Sequence, residues 1–152
     1  MTMPPRVHSS TAVQVRRTFK APADLVFKAW TDASMMSQWF ARAPDTPPGI
    51  VIHNDPRPGG VYVVDVFGKM DGLTYRMQGT YTEVQPPTRL AFTWWYDRAD
   101  YGPSLVTIEL RPVGPNATEV ILTHEQLPER MQEDHRKGWE ECFDMLSQLV
   151  ES

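Results

Sequence analysis

The sequence predicts an α+β domain in which one curved antiparallel sheet of six or seven strands wraps around a long C-terminal helix, with two short helices after the first strand. Three observations carry this. Apolar residues recur at helical spacing towards the end of the chain, the middle alternates with period two between closely spaced turn signals, and one proline-led amphipathic stretch interrupts that alternation early. The 152 residues suit a single domain, which at this size buries roughly 70% of the unfolded surface. Residues 1–11 are polar and proline-containing and read as a flexible tail, leaving 12–152 for the domain.

The elements follow in order. Val13-Gln-Val-Arg-Arg-Thr-Phe alternates as a strand. Pro22 is placed as a first helical residue, and Leu25, Val26, Ala29 and Trp30 form the apolar stripe of the helix behind it. Asp32 or Ser34 can cap a second short helix over 35–40, and the three prolines within 41–48 mark a loop. Ile50-Val-Ile-His is a short strand. Pro58-Gly-Gly is a turn rather than a phosphate loop, because no Lys-Ser/Thr pair and no helix start follow it. A strand from Val61 to Phe67 and another over 75–84 flank a hairpin at Lys69-Met-Asp-Gly. Gln85-Pro-Pro, a loop over 97–103 and Gly114-Pro-Asn then separate strands over 90–96, 105–111 and 119–124. Pro128 opens a final helix to about Val150 with Met131, His135, Trp139, Cys142, Phe143, Leu146, Leu149 and Val150 on one face. Gly138 costs about 1 kcal/mol inside a helix, and a close approach to the sheet is expected to compensate.

Composition narrows the function classes. Hydrophobic residues make up 41%, charged ones 22%, and the formal net charge is −4 with no Lys/Arg run. Broad-face nucleic-acid binding is thereby disfavoured. No stretch of about 20 apolar residues and no apolar leader appear, so no membrane insertion is expected and a cytoplasmic location is. The one cysteine, Cys142, fits a reducing compartment and, on the apolar helix face, a small buried hydrophobe. The histidines at 8, 53, 124 and 135 show no metal-ligand spacing, and no cofactor is expected.

Strand alternation selects the face turned to the helix. It holds Tyr62, Val64 and Val66; Leu90, Phe92 and Trp94; Val106, Ile108 and Leu110; and Val120, Leu122 and His124. Met77, Gly79 and Tyr81 share one parity while Val84 also looks buried, which requires a bulge near Thr82-Glu83. Met131, His135 and Trp139 face these from the helix, with Trp39 and Phe40 from the short one. Two readings of this set stand side by side: a pocket walled by aromatics, or a packed core. His124 and His135 are the titratable groups placed to reach it, either as a ligand-orienting group or general base or as buried histidines bonded to backbone. Trp95 is left on the outer face, where it could serve an interface, so a monomer or a homodimer is expected.

Several stretches, taken in order, resemble the START-like (SRPBCC) superfamily and, within it, the branch named after the activator of the heat-shock-protein-90 ATPase. They are Ala21-Pro-Ala-Asp-Leu-Val-Phe-Lys-Ala-Trp-Thr-Asp, Gln38-Trp-Phe, Arg57-Pro-Gly-Gly-Val-Tyr, Gly79-Thr-Tyr-Thr-Glu-Val-Gln-Pro-Pro-Thr-Arg-Leu-Ala-Phe-Thr-Trp, Thr118-Glu-Val-Ile-Leu-Thr-His and Gly138-Trp-Glu. The resemblance implies the helix-grip, or birch-allergen-like, fold with a hydrophobic ligand cavity. It implies binding of a lipid, polyketide or aromatic metabolite rather than catalysis. The alternatives are a polyketide cyclase/aromatase-like enzyme using a cavity histidine, or a co-chaperone-like interaction module.

Overall fold

The computed structural model describes residues 12–40, 50–67, 74–97 and 99–151. Seven antiparallel strands form one curved sheet in the order β1-β7-β6-β5-β4-β3-β2. They are β1 (Val13–Phe19), β2 (Ile50–Asn54), β3 (Val61–Phe67), β4 (Thr74–Gln85), β5 (Arg89–Tyr96), β6 (Ser104–Gly114) and β7 (Ala117–Glu125). Helices α1 (Ala23–Thr31) and α2 (Ala33–Met36) follow β1, and α3 (Glu129–Val150) ends the fold. The expected tail over 1–11, the loop over 41–48 and the hairpin turn at 69–72 lie outside the described residues. No helix among the described residues is long and apolar enough to cross a membrane.

Pro22 is not the first helical residue, as expected, but the residue before it. Its φ of −70° suits a helix, yet its ψ of 154° is extended. Its carbonyl accepts from the amides of Leu25 and Val26 at 3.1 Å each, so its missing N–H costs the helix nothing. The second helix also starts earlier than expected. Asp32 takes the cap, accepting from the Met35 amide at 3.1 Å and from the Ser34 hydroxyl at 2.7 Å. The single helical turn therefore ends at Met36, and Trp39 and Phe40 sit in the turn beyond, their amides donating to the Met36 carbonyl.

The bulge in β4 falls where parity requires it. Tyr81 pairs with Phe92 and Glu83 with Ala91, leaving Thr82 as the extra residue. Tyr81 thus stays inside with Met77 while Val84 is half-buried. Gly79, between them, cannot be replaced freely: a Cβ there would lie 1.8 Å from the Thr93 carbonyl oxygen and 2.7 Å from the Tyr62 ring.

On α3, Trp139, Cys142, Phe143, Leu146 and Val150 are buried against the sheet and α1. Phe143 meets Phe19 edge-on at 5.5 Å. The expectation for Gly138 is overturned, because a Cβ there would meet nothing within 4 Å among the described residues. No close approach offsets its backbone cost.

Candidate functional site

Nine ring-bearing residues from every layer of the fold converge between sheet and helix. Trp30 comes from α1, Trp39 and Phe40 from the turn after α2, and Tyr62 from β3. Tyr81 comes from β4, Phe92 and Trp94 from β5, His124 from β7, and Trp139 from α3. All are buried, with Val64, Met77, Val106 and Ile108 filling the sheet surface around them. Of the expected lining residues only Met131 and His135 stand apart, half-buried in the first two turns of α3.

Phe40 is the hub. Its ring lies 5.4 Å from Trp39, 5.8 Å from Trp94, 6.1 Å from Trp139, 6.3 Å from Tyr62 and 6.5 Å from Trp30, edge-on in each case. The gap that it shares with Trp30, Met36, Tyr62, Tyr81 and Phe92 is too small to admit a water molecule. In this region the aromatic set packs as core.

The polar atoms in the cluster are mostly committed. The Tyr62 hydroxyl donates to the Thr93 carbonyl at 2.7 Å, and the Tyr81 hydroxyl to Asn54 Oδ1 at 2.6 Å. Burial holds both phenols above the usual tyrosine range, each raised further by a neighbouring group, Tyr81 for Tyr62 and Asp55 for Tyr81. Both are neutral donors. Asn54 passes the link on, donating to the Thr31 carbonyl. The Trp39 indole donates to the Ala29 carbonyl at 2.9 Å.

His124 is the centre of a second chain. Its Nδ1 accepts from the Trp139 indole at 3.0 Å, so the ring proton sits on Nε2 and is donated to Ser104 Oγ at 2.7 Å. The Ser104 hydroxyl in turn reaches the Trp94 carbonyl at 3.3 Å. Burial, with a smaller contribution from the nearby His135, pushes the His124 pKa down to about 3. His135 has its ring centre 5.2 Å away, places Nδ1 2.9 Å from the Met131 carbonyl and meets the Tyr101 hydroxyl at 3.4 Å. The expected pair of titratable groups is therefore split between a satisfied neutral imidazole inside and a half-buried one at the rim.

Two donors are left over. The indole N–H groups of Trp30 and Trp94 are buried without a hydrogen-bond partner among the described residues. Each orphan of this kind costs about 1–3 kcal/mol, and native folds hold few.

Sequence reading missed Trp30, Met36, Ser104 and Asn54. Trp30 was legible only as a core position of its helix. Ser104 shares parity with Val106 and Ile108, but an expected strand start at 105 excluded it, and Asn54 was lost in the same way by ending β2 at His53. The cysteine lies as expected, buried on the apolar face of α3.

A family model described as "Activator of Hsp90 ATPase homolog 1-like protein" matches residues 20–151. No curated protein matches the chain. Among solved structures, protein CV1439 from Chromobacterium violaceum is similar at 27% identity with a TM-score of 0.79, over 93% of this chain and 99% of that one. An Hsp90 activator from Plasmodium falciparum superposes with a TM-score of 0.71 at 19% identity, over 92% of this chain and 96% of its own. DynU16, a protein in the dynemicin biosynthetic locus, does so at 0.74 and 24% identity, over 93% of this chain and 48% of its own. The last two likenesses are of fold alone.

Proposed function

Because the chain belongs to the family of Activator of Hsp90 ATPase homolog 1-like proteins, we propose that it binds a hydrophobic small molecule between the sheet and α3 and leaves it chemically unchanged. The ligand is a lipid, a polyketide or an aromatic metabolite. The observation that carries this is the convergence of aromatic rings from α1, α3 and the strands on one region with few polar groups, the usual make-up of a small-molecule site. The fold shared with DynU16, a protein of a biosynthetic locus, is consistent with such a ligand. The lone buried thiol suits a cytoplasmic setting.

Binding is favoured over cyclase-type chemistry by the state of His124. A general base needs a free lone pair and a pKa near the working pH. The His124 lone pair on Nδ1 is taken by Trp139, and burial keeps its pKa near 3. His135 lies at the rim with its Nδ1 turned to backbone.

The test is native mass spectrometry of the purified full chain with extraction of co-purifying molecules, followed by thermal-shift measurements against lipid and aromatic panels. A retained small molecule, or a ligand-dependent rise in Tm, is expected. Absence of both overturns the reading, and a complex that forms without any small ligand transfers the function to a partner surface.

A further inference from the structure

We propose that Phe40 is an internal plug occupying the ligand's place, and that the ligand which displaces it is an aromatic compound carrying an acceptor oxygen for the indole N–H groups of Trp30 and Trp94. This rests on the binding reading above and narrows it to a chemical class.

Phe40 has the position of a guest rather than of scaffold. Five aromatic rings surround it at 5.4 to 6.5 Å, all edge-on. Yet it belongs to no strand or long helix. It sits in the turn after the one-turn α2, held by its amide's 2.7 Å hydrogen bond to the Met36 carbonyl. Its backbone takes no part in the sheet ladders or in α3.

The two orphaned donors identify what replaces it. Trp30 and Trp94 are 1% and 8% exposed, both pack against the Phe40 ring, and neither indole N–H has a partner among the described residues. The other two indoles around Phe40 are satisfied, Trp39 by a backbone carbonyl and Trp139 by His124. Among the described residues the site therefore sets two unpaired donors beside aromatic faces. A saturated chain leaves both donors unpaired, and an ammonium adds a third donor. An aromatic ketone, quinone or ester fits, with its ring in the Phe40 position and its oxygen on the indoles.

Acetophenone and ethylbenzene, nearly equal in shape and differing in the carbonyl, test this on the full-length Phe40→Ala chain. Acetophenone is expected to bind about ten-fold tighter and to move the indole N–H resonances of Trp30 and Trp94, followed by heteronuclear NMR. Trp94→Phe in the same background is expected to reduce the preference while ethylbenzene binding persists. In the wild-type chain, saturating acetophenone is expected to shift the Phe40 amide resonance. Equal affinities overturn the acceptor rule while leaving a hydrophobic site standing. Failure of a folded Phe40→Ala chain to bind either compound overturns the plug, and the co-purification experiment then judges the binding reading separately. Should Phe40→Ala not fold, Phe40→Leu takes its place with the same outcomes.

Discussion

At His124 a neutral imidazole is locked between Trp139 and Ser104, and this gives the core a pH signature. An unfolded histidine takes up its proton near 6.5, whereas the buried one does so only near 3. Between those values the unfolded chain binds a proton that the folded chain refuses, so stability is fully present above pH 6.5 and falls as the pH drops. Roughly 2 kcal/mol is expected to be lost between pH 7 and pH 5 on this account. Denaturant titrations at the two pH values check it, and His124→Asn, which cannot protonate, is expected to flatten the difference. At Tyr81 the hydroxyl is the first link of a relay through Asn54 to the Thr31 carbonyl, joining β4, β2 and α1. Tyr81→Phe is expected to cost about 1–2 kcal/mol in the same titrations, since it leaves the half-buried Asn54 oxygen without its donor. Neither relay was legible beforehand. Alternation places Tyr81 and His124 on the inner face, but the partners of a buried polar atom depend on tertiary distances that no spacing encodes.

Two glycines at the scale of single elements have opposite standing. Gly138 lies in the interior of α3 with open space where a Cβ would go. Gly138→Ala is expected to stabilise the chain by about 1 kcal/mol, a helix-propensity gain visible as a higher Tm. Gly79 lies in β4 with the Thr93 carbonyl and the Tyr62 ring in the place of a Cβ. Gly79→Ala is expected to destabilise by about 3 kcal/mol, because backbone and a buried ring must both shift. The elements themselves were largely readable. The turn signals around 58–60, 85–87 and 114–116 delimit strands closely, and the parity conflict between Tyr81 and Val84 located the bulge. The second helix was less so, since Asp32 and Ser34 both have capping chemistry. Geometry decides between them: Asp32 accepts from the Met35 amide, and Ser34 turns its hydroxyl onto Asp32.

Across the whole molecule, the sheet runs from β1 at one edge to β2 at the other, with β6 and β7 flanked on both sides. Amides of β6 and β7 are expected to exchange slowest with solvent and those of the five-residue β2 fastest, as native-state hydrogen exchange would record. Alternation identified which faces of sheet and helix are buried. It does not encode whether those faces touch, because the Phe40 ring seated between them comes from a turn and not from a strand or a helix stripe. The two ends of α3 are held differently. Its last turn is fastened, with Glu151 accepting from the Lys20 amide at 2.9 Å and from the Ser147 hydroxyl at 2.7 Å, and with Arg17 paired to Asp144 at 2.7 Å. Its first ten residues contribute no buried side chain, and their ion pairs, Arg130 with Asp100 and Arg136 with Glu133, are exposed, as is the hydrogen bond from Arg136 to the Gln14 carbonyl of β1. The helix is thus anchored more firmly at its C-terminal end, and thermal fraying is expected to start beside Met131 and His135, next to His124, rather than at Val150.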